Sequence, residues 1–296
     1  MSNRTGNKMI SIIIPAHNEA SVIANCLTAL LDGASPGEMQ IVVACNGCAD
    51  NTADIARGFG APVEVIETPV PSKSHALNLA DSVAKGFPRF YLDADVVLPH
   101  ESIARMAQIL RQGPVLAAGP AVQFDVRDRP WTVRAFYEVC SRLPFLRTGM
   151  IGTGVYALSE VGRKRFDTFP NVTADDTFVR LHFSPQERQT VESCCSTVAV
   201  PRTLRSVVEI KTRSHFGNQE LRRKFPDLWK NEELKRNTSL ARLFLNPLLW
   251  PGLSIYGYVR IMSRLRSRWK YRHGQSNRWE RDESSRQAFP GAPTTG

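Results

Sequence analysis

The chain lacks an uninterrupted apolar run of the ~20 residues that a bilayer-crossing helix takes. Its longest uncharged section, 243–259, is shorter and is broken by Asn246, Pro247, Pro251, Gly252 and Gly257. The opening MSNRTGNK has no apolar core of the kind a secretory signal needs, so the expected compartment is the cytosol. Cysteine is sparse, with six in 296 residues, and only Cys45 and Cys48 form a C-x-x-C. No second pair completes a zinc site, and the adjacent Cys194 and Cys195 are poorly placed to turn both thiolates to one tetrahedral ion. Reduced structural thiols are expected, with a redox pair as the alternative reading of Cys45 and Cys48. Internal repeats are absent. Acid is scarce late in the chain: 262–282 is rich in Arg and Lys, with Glu280 and Asp282 its acids, and it supplies much of the +10 net charge. A local basic block implies an anionic partner, either a phospholipid surface or nucleic acid.

What is present is a 42% apolar chain, too apolar to be wholly disordered, and of a length for one large α/β domain with an appendage. Two periods alternate through its first part. MISIII (9–14), ended by Pro15, MQIVVA (39–44) and VEVIE (63–67) read as strands. Between them Val22, Ile23, Cys26, Leu27, Leu30 and Leu31 recur at helical spacing, with Asn18 as the expected N-cap. A short helix around 52–58, one over 73–86 and another through Ile103, Met106, Ala107 and Leu110 continue the series, and VLAAG (115–119) closes it. Such alternation predicts a parallel sheet covered on both faces, with ligands beyond the carboxyl ends of its strands. Further on the pattern predicts a helix over 130–142, strands over 150–159 and 193–200, and an acid pair starting a helix at 174–183.

The most informative residues are Asp93 and Asp95, which close the apolar run FPRFYLDADVVLP (87–99). Side chains at i and i+2 share one side of a strand. Two carboxylates there suit a hard divalent cation shared with substrate phosphates, the alternative being an ordinary acidic turn. His17 to Glu19, Cys45 to Gly47 and Lys73 fall at the ends of other strands, on the same predicted rim.

Together these blocks resemble the family 2 glycosyltransferases over approximately 10–217. SIIIPAHNEA (11–20) matches the opening strand and P-x-x-N-E segment, and IVVACNGCADNTADIA (41–56) the second strand and its turn. KSHALNLA (73–80) matches K-x-x-A-L-N, LDADVVLP supplies the D-x-D, GTGVYALS (152–159) matches the glycine-rich acceptor-side strand, and Ala174–Asp175–Asp176 stands at the E-D pair. The resemblance implies one Rossmann-like nucleotide-sugar-binding domain of glycosyltransferase A-type with a mostly parallel central sheet. It divides the chain into a catalytic domain over 1–235, with a nucleotide half at 9–120 and an acceptor half at 121–217. After it come basic amphipathic helices over 236–282 and a disordered tail over 283–296. It also implies inverting transfer from a nucleotide-diphospho-sugar to a hydroxyl, with Asp176 as base and Asp175 as its supporting carboxylate. Mn²⁺ or Mg²⁺ is implied at Asp95 and Asp93. Pro15, His17, Glu19, Asn46, Lys73, Asp93 and Arg213 are the implied nucleotide-sugar contacts, and Gly152, Thr153 and Gly154 line the acceptor side. An N-capping Asp175 followed by a first-turn Asp176 is the plainer reading of that pair.

Three departures matter. Cys45 and Asn46 replace the family's acidic grip on the base, leaving only hydrogen bonds from Asn46. His17 stands at an often aromatic position, either stacking on the base or serving as a polar loop residue. Ser214 and Ile210 replace the tryptophan and glutamine of the processive Q-x-x-R-W, which favours one sugar per encounter. Lys211, Arg213 and His215 then form either a clamp over the diphosphate or a solvated basic helix face.

Beyond this, 239–272 combines Ile255, Tyr258, Val259, Met262 and Leu265 on one expected face with Arg260, Arg264 and Arg268 on another. That predicts a peripheral contact with the inner face of the cell membrane, the alternative being a helix packed back on the domain. The resulting expectation is a non-processive glycosyltransferase acting on a lipid-linked or saccharide acceptor in glycolipid, cell-envelope or exopolysaccharide synthesis. A nucleotidyltransferase is the enzymatic alternative, although PAHNEA lacks a glycine- and arginine-rich triphosphate loop. A nucleic-acid binder is the non-enzymatic one, although no recognition motif accompanies the basic tail.

Overall fold

Each residue of β1 (Ile10–Ala16) is buried, because both faces of this strand are covered. Ile12 and Ile14 join one hydrophobic cluster and Ile13 the other. β2 (Met39–Asn46) divides the same way, with Ile41 and Val43 on one side and Val42 and Ala44 on the opposite side. This is the period of two acting on a central sheet. In the computed structural model, residues 9–143, 146, 149–150, 154–232 and 243–273 are described. Gly152, Thr153 and the expected tail over 283–296 lie outside them.

The first part of the chain continues with α1 (Ile23–Leu31), α2 (Thr52–Arg57), β3 (Val63–Thr68), α3 (Lys73–Val83), β4 (Arg89–Leu92), the short β5 (Val96–Val97) and α4 (His100–Gln112). The second half comprises β6 (Ala117–Asp125), α5 (Trp131–Ser141), β7 (Val155–Leu158), α6 (Glu160–Arg163), α7 (Asp175–Arg180), β8 (Arg188–Ala199), α8 (Leu204–Lys224) and the closing helix α9 (Trp250–Arg272). The eight strands form one sheet in the order β3-β2-β1-β4-β7-β6-β8-β5. The first four are mutually parallel, as the alternating pattern predicts. β7 runs antiparallel to both β4 and β6, and β5 antiparallel to β8, so the sheet as a whole is mixed. The antiparallel insertion of β7 sends the start of that strand, rather than its end, to the functional rim.

Local differences from the sequence reading have physical causes. Pro15 does not end β1, which pairs through Ala16 with Cys45. The N–H of Ser11 donates toward Pro88 on the β4 side, and Pro15 shares that orientation, but β4 pairs no further than Ile13. Proline's missing donor therefore removes no ladder bond. Asn18 is not the cap of α1. It adopts φ 51° and its Oδ1 accepts from Ala49 N at 2.6 Å, tying the loop after β1 to the loop after β2. Val22 precedes α1, and the Glu19 carbonyl accepts from Val22 N and Ile23 N.

At the C-terminus, Pro251 sits in the first turn of α9, where its missing N–H is harmless. Gly252 lies against α5, where an added Cβ would stand 3.2 Å from Ala135 O. Neither residue breaks the helix. Leu253, Tyr256 and Val259 pack into a third cluster with Val133, Phe136 and Val139 of α5 and with Val207 and Val208 of α8. The expected grouping of Tyr258 and Leu265 with Val259 is thus corrected: Val259 is buried, while Tyr258 and Leu265 are exposed. Among the described residues no helix is long and apolar enough to cross a membrane.

Candidate active site

The carboxyl ends of β1, β2, β3 and β4 deliver four loops to one rim. After β4 the chain turns immediately, so Asp93 and Asp95 occupy a turn closed by Val96 N to Asp93 O (3.1 Å), not the strand itself. Both carboxylates act on the same buried thiol: Cys26 of α1 is pushed up by burial first and then by Asp95 and Asp93. The two acids lie two residues apart in this one turn.

The beginning of β7 closes on this turn. Asp93 N donates to Gly154 O at 2.7 Å. Gly154 has φ 83°, and a Cβ there would lie 2.6 Å from Val96 Cγ2 and 3.2 Å from Asp93 Oδ2. Only glycine keeps space beside the Asp93 carboxylate in this backbone conformation. Asp93 and Asp95 offer hard oxygen donors, and among the described residues no group of three or more potential ligand side chains exists. That donor set fits a Mg²⁺ or Mn²⁺ ion which completes its shell with water and substrate phosphate oxygens, rather than one held in an all-protein cage.

Lys73 opens α3, whose N-cap Ser72 accepts from His75 N. Its Nζ stands 2.8 Å from Asp93 Oδ1 and 3.1 Å from Asp175 Oδ2. One ammonium thus joins the D-x-D turn to the start of α7, with Lys73 and Asp175 themselves 102 residues apart in sequence. Burial by itself would push Lys73 down, but Asp175 and Asp93 together hold its pKa above the ordinary lysine value. Asp175 is buried, and burial raises its carboxyl; Lys73 opposes that, while Asp176 and Asp93 add to it. Ala174, rather than Asp175, occupies the N-cap position of α7, so the Asp175 carboxylate is directed to Lys73. Asp176 is the neighbouring acid, half-buried, with Oδ1 accepting from Thr177 N at 2.6 Å.

α8 crosses over the start of α7. An added Cβ on Gly217 would stand 2.9 Å from Ala174 Cβ, and Glu220 Oε2 accepts from Thr173 N at 3.0 Å. Arg213, four residues before Gly217, shares that helical face. His215 does not: it lies between α8 and α9 with Arg222 and Arg264. The expected grouping of Lys211, Arg213 and His215 over one ligand is therefore not observed.

Of the other expected contacts, His17 Nδ1 meets the Asn46 carbonyl at 2.5 Å. Asn46 is fully buried, with its amide oriented so that the nitrogen donates to Ala16 O (2.8 Å) and the oxygen accepts from Ser72 N (3.2 Å). Its side chain ties β1 and β2 to the cap of α3 and faces the fold, so the expected hydrogen bonds to a base edge are not available from it in this arrangement. Glu19 is buried at the head of α1, its N–H donating to Thr52 Oγ1. Pro15 is buried inside β1.

One side chain escapes the sequence reading. Tyr156 of β7 is buried, stacks on Tyr91 at 4.9 Å between centroids, and its hydroxyl has no hydrogen-bond partner. Burial first, then Asp175, and also Tyr91, Asp176 and Asp93, raise its pKa. The signal that could have found it is a polar-tipped aromatic just after the glycine-rich turn of an otherwise apolar strand.

Comparison with known proteins bears on the family and the fold. The family model described as "Glycosyl transferase family 2" matches residues 11–166. The 4,4'-diaponeurosporenoate glycosyltransferase of Staphylococcus aureus (strain USA300) is 27% identical over 175 residues, 56% of this chain and 44% of the relative. The match thus spans less than half the length of that curated relative. Among solved structures, "Mannosyltransferase PcManGT from Pyrobaculum calidifontis in complex with GDP-Man and Mn2+" superposes with a TM-score of 0.60 at 18% identity, covering 92% of this chain and 77% of that one. S. aureus TarS 1-349 in complex with UDP-GlcNAc gives 0.52 at 14% identity over 91% and 93%. At these identities the structural matches speak to the fold.

Proposed function

This chain belongs to glycosyl transferase family 2, and from that premise we propose that it moves one sugar per encounter, with inversion, from a nucleotide-diphospho-sugar to a hydroxyl of a lipid-linked or saccharide acceptor. The observation that carries the proposal is the Lys73 ammonium held between Asp93 and Asp175. It joins the donor-side acids to the acceptor-side acids in one electrostatic unit.

In this reading the acceptor oxygen attacks the anomeric carbon as the bond from that carbon to the diphosphate oxygen breaks. Asp176 takes the acceptor proton, so it must stand opposite the leaving group. Asp175, held by Lys73, supports it as the second carboxylate. Asp95 and Asp93 would hold Mn²⁺ or Mg²⁺, whose charge when bound offsets that developing on the departing diphosphate. Lys73 keeps a fixed positive charge at the same rim, and Arg213 approaches from α8. The hydroxyl of Tyr156 is available to a substrate hydroxyl, since nothing in the fold uses it. Ser214, at the position where processive members place tryptophan, bonds its own helix at Ile210 O. The absence of an aromatic platform there supports single transfer. The proposed role is in glycolipid, cell-envelope or exopolysaccharide synthesis, with peripheral attachment through 239–272 at the inner face of the cell membrane; the activity named for the curated relative, glycosylation of 4,4'-diaponeurosporenoate, supports a lipid-like acceptor.

The test is thermal stabilisation by a panel of nucleotide-sugars, with and without Mn²⁺, because a ligand selective for the native state raises the midpoint. Asp95→Asn should lose the Mn²⁺-dependent increment. Asp176→Asn should keep donor binding and lose turnover; normal turnover in that variant refutes the base assignment.

A further inference from the structure

α8 has two working faces. Gly217 and Glu220 pack on residues 173–174 beside the carboxylates. On the opposite face, His215, Asn218 and Arg222 line a cleft of about 280 Å³ with Trp229, and with Arg264 and Arg268 from α9. Three guanidinium groups converge there, and among the described residues no carboxylate pairs with Arg222, Arg264 or Arg268. Elsewhere arginines are routinely neutralised, as Arg163 and Arg89 are by Asp81. Arg222 stacks on the Trp229 ring at 4.2 Å, which fixes the plane of its fork. Trp229 Nε1 and Asn218 Oδ1 are buried without partners. His215 is driven down to about 4 by burial first and then by Arg264, Arg260 and Lys211, so it stays neutral and adds no further repulsion at neutral pH. Converging cations with the orphaned indole N–H of Trp229 in one concavity are a donor set for phosphate oxygens, while the orphaned Asn218 oxygen can accept from a headgroup hydroxyl.

Alongside this cleft α9 exposes an apolar ridge. Trp250, Ile261, Leu265 and Trp269 lie open to solvent, and Leu245 and Leu248 before the helix are 83% and 88% exposed. The other side of α9 is packed on α5 and α8, so the ridge is surplus to the fold. Arg264 and Arg268 each adjoin a ridge residue in sequence, Leu265 and Trp269. Large apolar side chains with flanking tryptophans match headgroup depth, and a soluble phosphate ligand would need no such ridge.

We propose that the cleft between α8 and α9 seats the phosphate of an anionic phospholipid headgroup while the ridge of α9 lies in the same bilayer surface. The proposal rests on, and sharpens, the peripheral-membrane part of the proposed function: it names the lipid chemistry and places the site on the face of α8 turned away from the catalytic acids.

The test uses full-length protein and cosedimentation with vesicles of phosphatidylcholine, or of phosphatidylcholine with about 30 mol % phosphatidylglycerol. Wild type should bind the anionic vesicles only. Arg264→Gln with Arg268→Gln should weaken that binding about 30-fold, keeping or raising the melting temperature as like charges are relieved. Removing equal charge outside the cleft, with Arg266→Gln and Arg272→Gln, should weaken it less than about 5-fold. Ile261→Glu with Leu265→Glu should abolish it. Equal losses in the two arginine pairs would make the attraction diffuse and overturn the cleft while leaving membrane binding in place. Absence of wild-type vesicle binding would overturn both readings. Binding of inorganic phosphate in the cleft without vesicle binding would assign it to a soluble ligand and overturn the lipid.

Discussion

Replacing Lys73 by Met removes the ammonium that Asp93 and Asp175 share at 2.8 and 3.1 Å. Breaking a fully buried ion pair from one side costs ~3–5 kcal/mol, because the remaining charge stays desolvated. Asp175 meets that condition, but Asp93 is 38% exposed and water screens its share. An overall loss of about 2–3 kcal/mol is therefore expected, roughly 30- to 150-fold in an equilibrium constant. The pH dependence gives a sharper readout. Burial already raises Asp175, and Lys73 is the group that opposes it, so Lys73→Met raises it further. A carboxyl whose folded pKa exceeds its unfolded value binds protons more tightly when folded. The stability deficit should then be largest near neutrality and shrink as the pH falls through that folded pKa. The acid limb of kcat/KM, followed as nucleoside diphosphate release, should move to higher pH, and Lys73→Arg should restore most of it. A Lys73→Met protein with the wild-type urea midpoint and an unmoved acid limb would refute the electrostatic unit.

Tyr156→Phe removes a buried hydroxyl that has no partner, so the ligand-free protein should melt at the same temperature or slightly higher; turnover should fall, and unchanged kcat and KM would exclude a substrate contact. Gly154→Ala forces a Cβ to within 2.6 Å of Val96 Cγ2 at φ 83°, with an expected loss of ~1–3 kcal/mol and a smaller Mn²⁺-dependent thermal shift than wild type. Asp81→Asn leaves Arg89 and Arg163 without the carboxylate each meets at 2.8 Å; ~3–5 kcal/mol is expected at pH 7, seen as a fall in melting temperature on the order of 10 °C. Burial raises Asp81, but Arg163, Tyr91 and Arg89 outweigh it and hold the carboxyl low. Its contribution is present above the unfolded carboxylate pKa and is lost as the pH falls through the folded one, so variant and wild type should converge in acid.

The sequence by itself determined the alternating strands and helices of the first part of the chain. Its strands are short apolar runs, its helices carry one apolar stripe, and each period is a local consequence of which faces are covered. For the same reason the D-x-D and Lys73 were legible as residues of one rim, whereas the acid pair at 175–176 joined them only through the family resemblance. Three matters belonged to the tertiary structure alone. The antiparallel direction of β7 is a property of strand pairing, and it carries Gly154 to Asp93 and Tyr156 onto Tyr91. Asn46 reads as a polar residue at a rim, but its neighbours Ala16 and Ser72, 30 and 26 residues away, turn its amide inward. The face of α9 that packs and the face that stays open depend on where α5 and α8 lie, which is why Val259 is buried while Leu265, six residues on, is exposed. Periodicity reports that a face exists; only the packed neighbours decide which one meets solvent.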